Sequence, residues 1–169
     1  LRLEQAGSKR YIFIGVRNDL NLPPVHPAPF SYYYTAREGL AGVSEPGEKE
    51  IKFLTPETKT ETLWQRTIPG KTFAEACKAM TGKGTFFNFA KLDPEAIAPT
   101  ITATAQHFHW AEPRLLTIPE VKRLCGFPDD FVLSGEFLQR WERCGRAVPP
   151  LMMKQVAKTI EEKILSCAA

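Results

Sequence analysis

The sequence predicts a mixed α/β fold, and three stretches carry that prediction. The segment Arg10–Arg17 (RYIFIGVR) is an apolar run between two arginines, which is typical of a buried strand. Residues 114–131 combine helix-capping spacing with an apolar face, which predicts a short helix followed by a turn. From Pro150 onwards, apolar residues recur every four positions among lysines and glutamates, which predicts a longer amphipathic helix.

An arginine stands at each end of the first predicted strand. The two side chains either mark where the strand meets water, or Arg10 directs its guanidinium into a site at the strand end. A fixed guanidinium in such a site would suit an anionic or carbonyl ligand. The next segment, residues 18–29, contains four prolines, which exclude a helix or a central strand and predict an extended connector.

Residues 30–43 contain one helix signal. Thr35 and Glu38 have capping-box spacing, which predicts a short helix over Ala36–Leu40. The tyrosines Tyr32–Tyr34 either stack on nucleic-acid bases or pack in part against the protein. The following charged residues, 44–62, predict a solvated loop that contains at most one short strand.

Short strands are predicted at Ile51–Leu54, Phe86–Phe89 and Thr100–Thr104. Between the first and second of these, Thr72 and Glu75 repeat the capping spacing and begin a predicted helix that runs to Met80. Thr81–Gly84 ends this helix. It is not a phosphate-binding P-loop, because it follows a helix and lacks the Lys-Ser/Thr ending. We interpret it as a mobile loop suited to a DNA backbone.

The C-terminal part contains a helix whose two ends are both encoded in the sequence. Thr117 and Glu120 have capping-box spacing, and Gly126 is placed for a left-handed cap. A further helix is predicted from an N-cap at Ser134 to a stop at Gly145, and it precedes the long helix that begins at the Pro-Pro pair.

Composition permits several classes of function and excludes a protein with membrane-spanning helices among these residues. Hydrophobic residues make up 43% and the net charge is +3, which permits nucleic-acid binding without predicting it. Four cysteines lack metal-type spacing and are interpreted as reduced cytosolic thiols. No apolar run approaches the roughly 18 residues of a membrane span. The first residues resemble neither a signal nor a transit peptide, and the missing initiator Met suggests a piece of a longer chain.

Two sets of side chains are candidates for binding. His107 and His109 share one side of an extended segment, but without a third ligand they predict phosphate-donating or solvated loop histidines rather than a metal site. Basic residues in the middle of the chain either contact a DNA backbone or are ordinary surface side chains. These are Lys49, Lys52, Lys59, Arg66, Lys71, Lys78, Lys83 and Lys91.

Three landmarks in order resemble the C-terminal half of cytosine-5 DNA methyltransferases. Arg10–Asp19 (RYIFIGVRND) is similar to the strand motif whose arginines line the pocket for the flipped cytosine. Ala98–Thr102 (APTIT), residues 112–117 (EPRLLT) and Gly126–Phe131 (GFPDDF) resemble the penultimate motif, which braces the target recognition domain. Gly145–Pro150 (GRAVPP) and the helix after it resemble the last motif, which folds back onto the catalytic domain beside S-adenosylmethionine.

The resemblance implies a fold and its division into segments. The fold would be the C-terminal part of a Rossmann-like methyltransferase with a small, irregular α+β target recognition domain. Residues 1–19 would be a strand segment of the catalytic domain and residues 20–99 the target recognition region. Residues 100–169 would hold the bracing motif and the C-terminal helix. The implied setting is the cytoplasm of a bacterial or phage-type system, with a role in restriction-modification.

The resemblance also implies a chemistry. The family flips cytosine out of the duplex, adds a cysteine thiolate to its ring and transfers methyl from S-adenosylmethionine. Arg10 stands where the family's arginine donates to the cytosine carbonyl. Three residues would lie beside the cofactor, namely Arg146, Ala147 and Val148. Three basic residues would contact double-stranded DNA, namely Lys83, Arg66 and Lys71. Because the family usually has Asn at position 146, Arg146 is expected to pair with a carboxylate of the cofactor, of Asp129 or of Asp130.

The family's nucleophile is not found in this sequence. In the family the nucleophilic cysteine lies in a Pro-Cys motif near the N-terminus, and a glutamate that assists at the ring nitrogen lies in a Glu-Asn-Val-type motif. Here none of the four cysteines follows a proline, no Glu-Asn pair occurs, and no glycine-rich cofactor loop follows the first strand. We therefore predict that the catalytic half, which would bind most of the cofactor, is fused upstream or is a separate chain, and that these residues alone are inactive. The alternatives are a stand-alone DNA-binding or regulatory module, the second subunit of a split enzyme, or a protein-interaction domain that uses the tyrosine and phenylalanine clusters.

Overall fold

The computed structural model describes residues 12–28, 33–44, 47 and 50–167. In this part of the chain lie the helices α1 (Ala36–Leu40), α2 (Lys59–Arg66), α3 (Phe73–Thr81), α4 (Ile118–Leu124), α5 (Phe137–Arg146) and α6 (Pro150–Lys163). Two short strands, β1 (Ala90–Lys91) and β2 (His107–Phe108), pair in parallel with Ala90 opposite His107. Single 3-10 turns occupy Asn18–Leu20 and Leu165–Cys167. Helices around a parallel strand pair confirm the predicted mixed α/β class.

The larger hydrophobic core surrounds Trp141 of α5, which is fully buried. Helix α4 contacts both α1 and α5, so this core joins the middle of the chain to its C-terminal part. The Trp141 indole N–H donates to the carbonyl of Thr102 at 2.9 Å, which satisfies its one polar atom. Other fully buried members of this core are Leu92, Ile101, Leu116, Val121, Leu124 and Cys144.

A second hydrophobic core lies between α2 and α3. Its buried members are Leu63, Phe73, Cys77 and Phe108. The rings of Phe73 and Phe108 stack with their centroids 4.8 Å apart, which ties α3 to β2. The Phe73 N–H donates to the carbonyl of Phe89 at 2.8 Å, so the start of α3 is also held to the chain that leads into β1.

Two predicted capping boxes are confirmed. Thr35 begins α1 and Thr117 begins α4, and in each the threonine hydroxyl accepts from the third residue while that glutamate accepts from the threonine N–H. Gly126 follows α4 with a φ of 79°, the predicted left-handed cap. Helix α6 begins at Pro150 as predicted.

Several helix predictions need correction. Helix α2 is missed by the sequence prediction. It begins inside the predicted solvated loop, residues 44–62, and ends beyond it, and its many charged residues hide the one fully buried side chain, Leu63. Helix α5 is capped by Glu136 with Gln139 rather than by Ser134. Gly145 lies within α5 instead of stopping it. At α3, Thr72 is the N-cap residue, but its side chain makes no capping hydrogen bond.

Of the three short strands predicted between residues 51 and 104, two are wrong and the third holds only an isolated bridge. Phe86–Phe89 is a turn, since Phe86 has a φ of 64° that a strand cannot contain. Thr100–Thr104 is irregular and packs through the buried Ile101. In Ile51–Leu54, one antiparallel bridge joins Phe53 to Arg114. Short apolar runs signal burial without specifying a strand, which accounts for these errors.

The first predicted strand is described only from residue 12 onwards. Ile12–Arg17 forms no strand, and the Phe13 side chain is 92% exposed. A strand needs a paired neighbour, and no strand of the described residues lies against this segment. The prediction of a buried strand is therefore wrong for these residues.

Gly145 packs so closely that a side chain is excluded. A Cβ atom at this position would lie 2.3 Å from the carbonyl oxygen of Thr102 and 2.6 Å from the nitrogen of Ala103. Both are backbone atoms, so neither can rotate away. We expect Gly145→Ala to lower the unfolding free energy by about 2 to 3 kcal/mol, measured by urea denaturation. Gly15→Ala is the control, because nothing lies within 4 Å of its Cβ position. Equal stability of both variants would contradict this packing.

Membrane-spanning helices and disulfides can be assessed for the described residues alone. None of their helices combines the length and the apolar character needed to span a bilayer. Cys77, Cys125, Cys144 and Cys167 are all free thiols, and the first three are buried. Burial raises the pKa of Cys144 to about 11, so this thiol stays protonated near neutral pH.

Candidate functional site

Residues 59–91, here called the basic unit, concentrate the positive charge of the chain. They contain six lysines and arginines against two glutamates, a net charge of +4, whereas the whole chain has a net charge of +3. The remaining residues together are therefore slightly acidic. Helices α2 and α3 of the basic unit pack on each other around the second core. Five of the six basic residues are exposed, and a basic surface of this kind attracts polyanions such as a DNA backbone.

The structure places the three predicted DNA contacts in this basic unit. Arg66 is the last residue of α2, Lys71 lies between α2 and α3, and Lys83 follows α3. All three side chains belong to exposed residues. Their exposure leaves them available to phosphates, and their DNA role remains a prediction. Another candidate, Lys49, lies outside the described residues.

Lys91 was a further candidate for the DNA backbone, and the structure assigns it a different position. It is only 7% exposed. Its ammonium lies 3.7 Å from the centroid of the Trp64 ring and donates to the Trp64 carbonyl at 3.2 Å. The Trp64 indole N–H donates in turn to the carbonyl of His109 at 2.9 Å. Burial lowers the pKa of Lys91, and its contacts fix α2 to the strand pair rather than reaching outward.

Arg114 forms the most buried ion pair described in the structure. Its Nη1 and Nη2 atoms donate to the two carboxylate oxygens of Glu120 at 2.8 and 2.9 Å. Its Nε donates to Glu112 at 2.5 Å. Arg114 and Glu120 are 7% and 8% exposed. Burial alone would raise the pKa of Glu120, but hydrogen bonds from Arg114 and from the Thr117 N–H outweigh it, so this pKa lies below its usual range.

The turn after α4 is fixed by a second arginine. Arg123 donates from Nε to Asp129 at 2.8 Å and forms an ion pair with it. Its Nη1 also donates to the carbonyls of Gly39 and Ala41, at 3.4 and 3.3 Å. The hydrogen bond from Arg123 lowers the pKa of Asp129. Asp129 therefore fixes the turn and holds the arginine that contacts the end of α1.

The predicted cofactor segment, Arg146 to Val148, begins at the last residue of α5. Arg146 is 73% exposed and pairs with Glu142 at 2.7 Å, not with Asp129 or Asp130 as expected. Glu142 lies one turn earlier on the same helix, so this pairing is local. Ala147 is half-buried and Val148 is 46% exposed. Residues this exposed cannot enclose a cofactor by themselves, although they can form the edge of a larger site.

Other predicted site residues lie outside the described part of the chain. Arg10, the proposed pocket residue, is among them, as is Tyr32. Tyr33 is half-exposed and Tyr34 packs against the larger core, so the two described tyrosines do not present one continuous surface.

The two histidines both stack on tryptophan rings. His107 is 4% exposed, its ring stacks 6.3 Å from that of Trp141, and its Nδ1 has no hydrogen-bond partner among the described residues. His109 stacks on Trp110, and its Nδ1 accepts from the N–H groups of Ala111 and Glu112 at 3.2 Å. The prediction of a solvated or phosphate-donating side chain is wrong for His107, which is buried against Trp141, whereas His109 is half-buried and its role stays a prediction. No metal-binding cluster occurs in the part of the chain described.

His107 predicts a pH dependence of stability. Burial lowers its pKa from 6.5 to about 4, with a backbone hydrogen bond to Thr100 acting in the opposite direction. Between these values the unfolded chain binds a proton that the folded chain excludes, so stability falls as the pH drops from 6.5 to 4. We expect a loss of about 3 kcal/mol over that window from this group. NMR titration of the His107 ring measures the pKa, and a midpoint near 6.5 would contradict the assignment.

Comparison with known proteins defines the class. A profile of the C-5 cytosine-specific DNA methylases matches residues 8–162. The chain therefore belongs to the C-5 cytosine-specific DNA methylase family. The type II methyltransferase M.BbvI of Brevibacillus brevis is 28% identical, over 89% of this chain and 44% of its own length. The chain thus spans under half of that relative.

Two further matches bear on the size and fold. The type II methyltransferase M.AquIB of Picosynechococcus is 32% identical over 90 residues, which are 46% of this chain and 65% of M.AquIB. M.AquIB is therefore shorter than this chain. A crystal structure of a DNA modification methyltransferase encoded within an E. coli prophage superposes with a TM-score of 0.58 at 19% identity, covering 89% of this chain and 53% of the other. That likeness supports the mixed α/β fold.

Proposed function

We propose that this chain is the DNA-recognition and cytosine-pocket half of a DNA (cytosine-5-)-methyltransferase. The family match over residues 8–162, in a chain that spans 44% of M.BbvI, carries the proposal. The family's Pro-Cys and Glu-Asn motifs do not occur in these 169 residues. The nucleophile therefore belongs to an N-terminal catalytic half, either fused upstream or present as a separate chain.

Three groups of residues share the recognition of DNA and cytosine. The basic unit offers Arg66, Lys71 and Lys83 to the phosphates of double-stranded DNA. The Arg114–Glu120 pair fixes the start of α4 and so braces the recognition region against the larger core. Arg10 reaches the flipped cytosine, where a guanidinium would donate to the carbonyl and stabilise negative charge on the ring.

S-adenosylmethionine supplies the methyl group in this family. The exposed loop of Arg146, Ala147 and Val148 fits only the edge of its site. For Arg146 to meet the cofactor's carboxylate, its pair with Glu142 would have to open. That pair is solvent-exposed and therefore weak, so opening costs little.

A separate catalytic subunit is the second arrangement that an observation favours. M.AquIB, a type II methyltransferase by name, is shorter than this chain. A chain of this length can therefore be a methyltransferase component. The gene distinguishes the two arrangements. A fused enzyme encodes the Pro-Cys and Glu-Asn motifs upstream in the same reading frame, whereas a split enzyme encodes them in another reading frame.

Bisulfite sequencing of DNA from cells that express the complete gene tests the proposal. We expect cytosines protected from conversion at one recurring sequence. Cells that express only residues 1–169 should show none, and co-expression of the upstream or partner half should restore protection. Methylation by the 169 residues alone would show that the catalytic groups lie within them. Salt-sensitive duplex binding by this chain, without methylation by the complete gene, would identify a stand-alone DNA-binding module instead.

A further inference from the structure

The loop after α3 presents one phenylalanine to solvent while it buries its neighbours. Phe87 is 67% exposed. Phe86 and Phe89, one position before and two after, both pack against the second core. The predicted apolar surface over Phe86–Phe89 is therefore reduced to a single outward ring. An exposed aromatic side chain in the basic unit has no stabilising role that the described contacts explain.

Contacts with α3 and within the loop fix its conformation. Phe86 adopts the left-handed region, φ 64°, and its ring meets that of Phe89 edge-on at 5.2 Å. The Thr85 hydroxyl lies 3.1 Å from the Cys77 sulfur. The Lys83 N–H donates to the hydroxyl of Thr81 at 3.4 Å, while that hydroxyl donates to the Cys77 carbonyl at 2.9 Å. A bulky residue tolerates a positive φ only where its surroundings impose it, so the outward direction of Phe87 is built in.

The Phe87 ring also rests on a glycine. A Cβ atom placed on Gly84 would lie 3.6 Å from Phe87 Cζ and 3.8 Å from Cε1. One edge of the ring is thus supported by the loop backbone, and most of the remainder is open. A supported aromatic ring loses little freedom when it binds.

Basic side chains lie near Phe87, one in the sequence and one against the adjacent ring. Lys83 is four residues before it, and the Lys59 ammonium lies 5.2 Å from the centroid of the adjacent Phe86 ring. The net charge of +4 over the basic unit favours a polyanion over a neutral protein surface. In an intact duplex, the apolar group that a base presents in the major groove is the thymine methyl.

We propose that Phe87 reads a thymine methyl in the major groove, beside phosphate contacts made by neighbouring lysines. This rests on the proposed function, because it assumes that the chain recognises duplex DNA. It adds a specificity-determining residue and the group that this residue recognises. The apolar contact distinguishes thymine from cytosine and from uracil, which lack the methyl.

The 169-residue chain is first used to select from a pool of duplexes with a randomised centre. In the best-bound duplex, each thymine is then replaced in turn by deoxyuridine. For the wild type we expect about a fivefold loss of affinity at one thymine position. Phe87→Ala should lose about the same factor with thymine present and should then be indifferent to deoxyuridine at that position.

Salt dependence separates base contacts from phosphate contacts. Phe87→Ala should keep the wild-type slope of log affinity against log salt, whereas Lys83→Ala should reduce that slope by about one. Leu138→Ala is the matched control, since Leu138 is 64% exposed on α5, outside the basic unit, and should change neither quantity. If Phe87→Ala still discriminates thymine from deoxyuridine, this inference is overturned and the proposed function stands. The same holds if no replacement of thymine by deoxyuridine lowers the affinity of the wild type. If the wild type shows no salt-sensitive duplex binding, the proposed function is overturned with it.

Discussion

Glu120→Ala is expected to lower the unfolding free energy by about 3 to 5 kcal/mol. The substitution leaves the buried Arg114 guanidinium without its bidentate partner, with only the more exposed Glu112 remaining. It also removes the carboxylate that accepts from the Thr117 N–H at 2.7 Å, which opens the capping box of α4. Urea denaturation monitored by circular dichroism measures the loss. The cost is large because a charge is left buried and unpaired, rather than because the intact pair is strongly stabilising.

Glu38→Ala is the matched control for this substitution. Glu38 occupies the same capping-box position in α1, where it accepts from the Thr35 N–H at 2.8 Å on the exposed surface. Its loss should cost about 1 kcal/mol, the value of a cap. The difference between the two variants measures the penalty of the unpaired Arg114. If Glu120→Ala costs no more than Glu38→Ala, the buried pair does not have the assigned role.

The same pair predicts a stability change in acid. In the folded chain the pKa of Glu120 lies below its ordinary value of 4.5. The contribution of Glu120 to the unfolding free energy is therefore fully present above pH 4.5. The contribution is lost as the pH falls through the folded value. Loss from His107 occurs at higher pH, between 6.5 and about 4, so the two groups act in largely separate windows.

The parts of the fold that could be predicted are those whose signals are local. A threonine and a glutamate three residues apart determine a capping box within one helical turn, and both Thr35 and Thr117 form it. Gly126 likewise takes the left-handed cap that follows from its place after an apolar helical face. The family likeness could also be predicted, because it depends on the order of short motifs and not on their packing.

The rest depends on tertiary contacts that local sequence patterns do not show. Trp64 and Lys91 are 27 positions apart, and their contact decides that a lysine is buried rather than available to DNA. Helix α2 depends on Leu63, its single fully buried residue, so the surrounding polar sequence concealed it. Glu120 was identifiable as a cap partner, whereas its pairing with Arg114 needs the chain between them to bend back. Propensity and periodicity do not encode such contacts.

Arg10→Ala in the complete enzyme is expected to reduce methyl transfer by about 100- to 1,000-fold. If Arg10 donates to the cytosine carbonyl, its guanidinium stabilises charge that develops during reaction, whereas most duplex affinity comes from phosphate contacts. DNA affinity should therefore change far less than the rate. Single-turnover methyl transfer and duplex affinity, measured on the same preparation, separate the two effects.

Arg17→Ala is the control, since it removes the same side chain from the other end of the same segment. Arg17 is 77% exposed on its side chain and pairs with Asp19, which lies two residues on. An exposed local pair of this kind contributes little to stability and leaves no charge buried when it is broken. Methyl transfer by Arg17→Ala should stay close to wild type. Equal losses of rate and affinity in Arg10→Ala, or equal rates in the two variants, would remove Arg10 from the cytosine pocket and make it a strand-end residue that meets water.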